Sequence, residues 1–145
     1  MAISSAICNS FKQELLVGTH NFTASSGNAF KLALYQSDAS LGASTTAYST
    51  SEEITNTSGS AYTAGGKALT SVTPVLDGST AVCDFADISF TSASFTANGC
   101  LIYNDTQSDK AVCVVAFGGD KTVSSGTFTI QFPAAAASTA IVRIA

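Results

Sequence analysis

The sequence predicts an all-β domain: an antiparallel β-sandwich of jelly-roll or immunoglobulin-like type, or a partly closed barrel, preceded by a short amphipathic helix. Three observations predict it. Apolar and polar residues alternate with period two in short runs from Phe30 to Ile144, and turn residues interrupt them every 8–12 residues or so. Ser and Thr together number 39 of 145 residues, and the β-branch of Thr suits a pleated surface. Charged residues are only 11% and apolar residues 46%, too apolar a balance for a disordered chain. A chain of this mass folds to a surface of roughly 7,000 Å², which leaves room for one core, so residues 1–145 are expected to form a single domain.

The first element is predicted to be helical over residues 5–17. Ser4 or Ser5 offers a hydroxyl for the exposed amides of a first turn. Ile7, Phe11 and Leu15 recur every four residues, Cys8 and Leu16 widen that face, and Gly18 is a natural stop. Asn9, Lys12, Gln13 and Glu14 make the polar side. The apolar stripe either packs on the domain's own sheet or docks on a neighbouring subunit. Phe30 to Tyr35 then alternates as a strand. Residues 36–68 are irregular, with short strands expected near Ile54 and Tyr62, and so long a loop is a candidate contact surface.

From Leu69 the strand signal is continuous. Leu69–Leu76 and Ala81–Phe85 flank Asp77-Gly78, a hairpin turn in which Gly takes a positive φ. Ile88–Phe90 and Phe95–Tyr103 follow as two strands, and residues 104–110 form a polar hairpin loop. Ala111–Phe117 is the most apolar run and is expected at the sheet centre. Gly118-Gly119-Asp120-Lys121 starts a connection to the alternating strand Thr127–Phe132, and Ala140–Ile144 closes the chain. So few charges leave the sheet edges little protection, which suits an assembly that covers them.

The net charge of −4 argues against a nucleic-acid surface. No apolar run reaches the length of a membrane span. The N-terminus lacks the basic and apolar regions of a secretory signal, so a reducing compartment is expected. There Cys8, Cys83, Cys100 and Cys113 are expected to stay as thiols, the last three as small core hydrophobes, with a disulfide between neighbouring strands as the alternative. Sequons at Asn21, Asn56 and Asn104 suggest exposed turns. His20 is the single histidine, which leaves no two-histidine metal site, and a structural hydrogen-bonding role is expected for it. The pairs Asp84/Asp87 and Asp105/Asp109 read as turn residues, since neither has EF-hand spacing. Glu52-Glu53 is too isolated for an acid/base pair. Gly65-Gly66-Lys67 lacks the first glycine and the Ser/Thr of a phosphate loop, and a turn with close backbone approach accounts for it. Tyr35, Tyr48, Tyr62 and Tyr103 are candidate contact residues. No catalytic motif, metal site or cofactor site is expected.

Several segments occur in a suggestive order. They are residues 14–22 with residues 30–35, then 62–69, 84–87, 97–104, 117–121, 128–133 and 141–144. In that order they resemble a family of small structural proteins of tailed bacteriophages, over nearly the whole chain. The resemblance implies a virion component. Within that class it favours a capsid decoration or cement protein on the head exterior, assembled in the host cytoplasm. Such a protein binds the major capsid protein and self-associates, commonly as a trimer. A tail-fibre or tail-associated adhesion module for a host-surface glycan or protein is the alternative. The resemblance supplies no catalytic residues. On this basis Ile3, Ile7, Phe11 and Leu15 are the expected assembly interface.

Overall fold

A computed structural model describes residues 2–54 and 62–145. In chain order the elements are β1 (Ala6–Ile7), α1 (Asn9–Leu16), β2 (Phe30–Tyr35), β3 (Lys67–Ala68), β4 (Ser71–Asp77), β5 (Thr80–Phe85), β6 (Ile88–Asn104), β7 (Lys110–Ile130) and β8 (Val142–Ile144). They form two antiparallel sheets, one ordered β1-β7-β6-β2-β3 and the other β4-β5-β8. The sandwich-like class is as expected, and the sheets do not close into a barrel. No helix among the described residues is long and apolar enough to cross a membrane.

Around β2 and the adjoining ends of β6 and β7 the larger sheet is buried on both faces, so these stretches are apolar on successive residues. Five of the six β2 residues are buried. On one face Phe30 stacks on Phe22 with ring centroids 4.3 Å apart, and Phe11, His20 and Phe85 surround the pair. On the other face Tyr35, Tyr62 and Tyr103 are buried under the segment that follows β2. The described parts of the segment 36–68 form a lid on the sheet, with Ala39, Ile54 and Tyr62 in the core and an exposed outer side. The four tyrosines turn inward with it. The strand expected near Ile54 reduces to a bridge between Tyr35 and Glu53. Near Tyr62 no strand forms until β3, and residues 55–61 lie outside the described part.

Five further expectations change. The helix starts at Asn9, since Ala6 and Ile7 pair with Val114 and Cys113 of β7; its cap position is Cys8, whose side chain makes no capping hydrogen bond. The two runs before Tyr103 are one strand of 17 residues, and the runs on either side of Gly118-Gly119 are one strand of 21. Positive φ at Ser92, Gly118, Gly119 and Ser125 kinks these strands, and the β6–β7 register shifts along them, yet pairing resumes beyond each kink. β6 is the central strand and β7 lies beside it. Asn104, expected in an exposed turn, is fully buried. The turn at Asp77-Gly78 forms as expected, with Gly78 at φ +62°.

Candidate functional site

Two buried polar clusters hold the core together. In the first, Asn104 Nδ2 donates to His20 Nδ1 (2.9 Å) and to Asn28 Oδ1 (3.0 Å), while its Oδ1 accepts from the amides of Thr106 and Gln107. With Nδ1 accepting, the ring proton sits on Nε2, which donates to Glu14 Oε2 at 3.2 Å. Lys110 approaches the same carboxylate at 3.7 Å. Glu14 was expected on the polar side of the helix; it is buried because it lies one turn from Phe11 and meets His20.

Burial lowers the His20 pKa from its ordinary 6.5, and Lys110 adds to this. The Glu14 carboxylate opposes the shift without reversing it. The sign follows directly. As pH falls through about 6.5 the unfolded chain binds the proton first, so the native state loses stability until the lowered folded pKa is passed. The urea midpoint is therefore expected to drop between pH 7.5 and 5.5. In His20→Asn that dependence should vanish, although the variant is less stable throughout.

The second cluster centres on Glu53. Its Oε1 accepts from Tyr62 Oη (2.5 Å) and the Gly65 amide (2.8 Å), and its Oε2 accepts from Tyr48 Oη (2.6 Å). Tyr103 Oη donates to the Gly65 carbonyl at 2.6 Å, and Tyr35 Oη to the Ser49 carbonyl at 2.7 Å. Burial, with Glu53 as a further cause in each case, pushes all four phenols well above their usual range, so they remain donors. The sequence isolates Glu53; the fold brings its donors from residues 48, 62 and 65. The cluster fastens the lid to the sheet.

The remaining chemistry-bearing residues also have structural partners. Burial raises the thiols of Cys8 and Cys83 to about 11 and that of Cys100 to about 12, and Cys113 rises further. All four are free thiols; Cys83 alone is half-exposed. Asp87 accepts from the Phe132 amide, Asp84 from the Phe85 amide, and Asp105 pairs with Lys31. Among the described residues no group of three or more His, Cys, Asp or Glu side chains is placed to hold a metal.

The expected assembly residues divide. Ile3 and Phe11 are part of the chain's own core, and Ile7 and Leu15 pack against it. The cause is the β1–β7 pairing, which lays the N-terminal segment on the sheet, helped by a bridge between Ile3 and Leu41. The stripe as a whole is therefore not the contact surface. The outward large apolar residues are Leu16 (89% exposed), Val17 (67%) and Ile144 (56%) near it, and Leu76 (72%), Val75 (58%) and Val72 (45%) on β4. Leu76, Ala81 and Ile144 are cross-strand neighbours in register on the small sheet. Ile144 and Leu16 line one groove of about 340 Å³ between α1 and β8. A continuous apolar strip thus runs from the end of the helix across the small sheet. Its signal in the sequence was Leu15-Leu16-Val17, since a helix cannot bury three successive side chains on one face. A separate apolar cleft of about 470 Å³ lies between the far half of β7 and the large sheet, with Phe117, Phe128 and Ile130 in its wall.

Comparison of the chain with protein-family models, with characterised proteins and with solved structures gave no match.

Proposed function

We propose that the protein is a structural component of a bacteriophage particle, a capsid decoration protein that binds the outside of the head and ties neighbouring major capsid proteins together. The observation that carries the proposal is the exposed strip of Leu16, Val17, Leu76 and Ile144 on a chain whose surface, Val72 and Val75 of β4 aside, is otherwise largely Ser, Thr and Ala. Burying apolar area drives association, and a contiguous exposed patch of this kind marks an interaction surface. The order of segments resembling small phage structural proteins supports the same reading and names the partner class. Many copies on one shell convert a modest contact into a firm one.

Deleting residues 1–17 is not a clean test, because Ile3, Cys8 and Phe11 are core residues. The double variant Leu16→Asp/Leu76→Asp changes only exposed side chains. It is expected to unfold at a urea concentration close to that of the parent and to leave purified heads undecorated. The location is tested by gold-labelled antibody on finished particles. Label over the whole head supports the proposal. Label confined to the tail replaces it with the adhesion module, and absence from particles overturns both.

A further inference from the structure

The free edge of β8 narrows the chemistry of the partner. Val142-Arg143-Ile144 pairs with β5 on one side, and among the described residues no strand lies on the other. Successive residues of a strand face opposite sides, so Val142 and Ile144 point one way and Arg143 the other. Val142 is buried, whereas Ile144 stands half-open beside Leu15 and Leu16 in the groove under α1. Lys12 and Arg143 also line that groove. The chain has six basic residues and a net charge of −4, so two of its few cations flank one apolar opening. Neither forms an ion pair among the described residues: Lys12 donates to Asn9 Oδ1 and Arg143 to the Ala137 carbonyl. By contrast Lys31 and Lys110 meet carboxylates.

We propose that an extended segment of a partner protein adds to β8 as a fourth strand, with apolar residues entering the groove beside Leu16 and Ile144 and an acidic residue opposite Arg143. Strand addition draws its affinity from main-chain hydrogen bonds and its specificity from alternate side chains. Opposite charges facing each other across a ladder add to this, and like charges subtract. The same rule disfavours a second copy of this chain as the occupant. Pairing β8 with its own mate about a two-fold axis through Arg143 sets two guanidinium groups face to face. An acidic, apolar segment fits on both counts. The inference rests on the assembly reading above for the identity of the partner as a shell protein, and on the groove alone for its chemistry.

The test uses the full chain and two capped pentapeptides, acetyl-Thr-Val-Glu-Val-Thr-amide and its counterpart with Lys for Glu, followed by amide chemical-shift changes. The Glu peptide is expected to shift the amides of β8 and α1 and to bind about fivefold more tightly than the Lys peptide. In Arg143→Glu the preference should invert, and in Lys12→Glu it should shrink. Both side chains are exposed, and a dispersed spectrum verifies that each variant is folded. Leu16→Asp should weaken both peptides. Equal binding of the two peptides, shifts located elsewhere, or no binding at all overturns the inference. So does a concentration-dependent shift of β8 without peptide, which identifies a second copy as the occupant. These outcomes are independent of where the protein sits on a particle, so the strand-addition inference and the decoration reading fail separately.

Discussion

Glu53→Ala is expected to lower the unfolding free energy by about 3–5 kcal/mol, the cost of orphaning one buried and two partly buried donors at about 1–3 kcal/mol each with partial relaxation. The donors are Tyr48 Oη, Tyr62 Oη and the Gly65 amide. Tyr62 is fully buried, and its hydroxyl also accepts from the Leu34 amide in β2. The loss therefore spreads from the lid into the sheet edge. In a chain of this size such a loss corresponds to a fall in Tm of about 10 °C. Glu53→Gln keeps one acceptor oxygen, and its amide can donate to a rotated tyrosine hydroxyl, so a cost of about 1 kcal/mol is expected. Urea unfolding of the two variants measures the difference. Equal losses for Ala and Gln would show that a side chain of the same shape with one acceptor does not suffice, and that both carboxylate oxygens are what Glu53 supplies.

The contrast between this cluster and the strands shows what can be read from a sequence. Phe30–Tyr35, the Asp77-Gly78 hairpin and the return strand to Phe85 were legible because alternation and turn chemistry are local properties. The Glu53 cluster was not, because its donors are scattered over residues 48–65 and Tyr35 and Tyr103 bind the adjacent backbone. Long strands defeat local reasoning in a different way. Gly118-Gly119 has the composition of a turn, but β7 passes through it as a kink and goes on pairing with β6 to Ile130. Helix periodicity at Ile7, Phe11 and Leu15 correctly marked an apolar face. It could not say that Ala6 and Ile7 would be taken by the edge of the large sheet, because β1 pairs with a strand more than 100 residues away. The outward surface was legible only as a remainder: what the core left uncovered.

Gly65-Gly66-Lys67 is where a local reading and the fold meet, and it yields the second large effect. Gly66 has φ +81°, and a Cβ there would stand 1.9 Å from the Leu32 carbonyl oxygen and 2.8 Å from the Ala33 Cα. Both obstacles are backbone of β2, so no side-chain rotation relieves them. Lys67 must still pair with Leu32 one residue later, and its ammonium both donates to the Ser89 carbonyl and lies 5.7 Å from the centre of the Phe90 ring. Gly66→Ala therefore forces β3 off β2 and pulls on the Gly65 amide that Glu53 holds. The expected loss is about 3–4 kcal/mol, combining left-handed backbone strain with overpacking. Gly78→Ala is the control. It has φ +62° but nothing within 4 Å of the added methyl, so only the strain of about 1–2 kcal/mol applies. A second readout separates mechanism from magnitude. Gly66→Ala should speed hydrogen exchange at the Leu69 amide, which donates to the Phe30 carbonyl of β2, while Gly78→Ala should leave it protected. Equal losses in the two variants would mean that the backbone angle alone, and not the approach to Leu32, is why glycine is required at position 66.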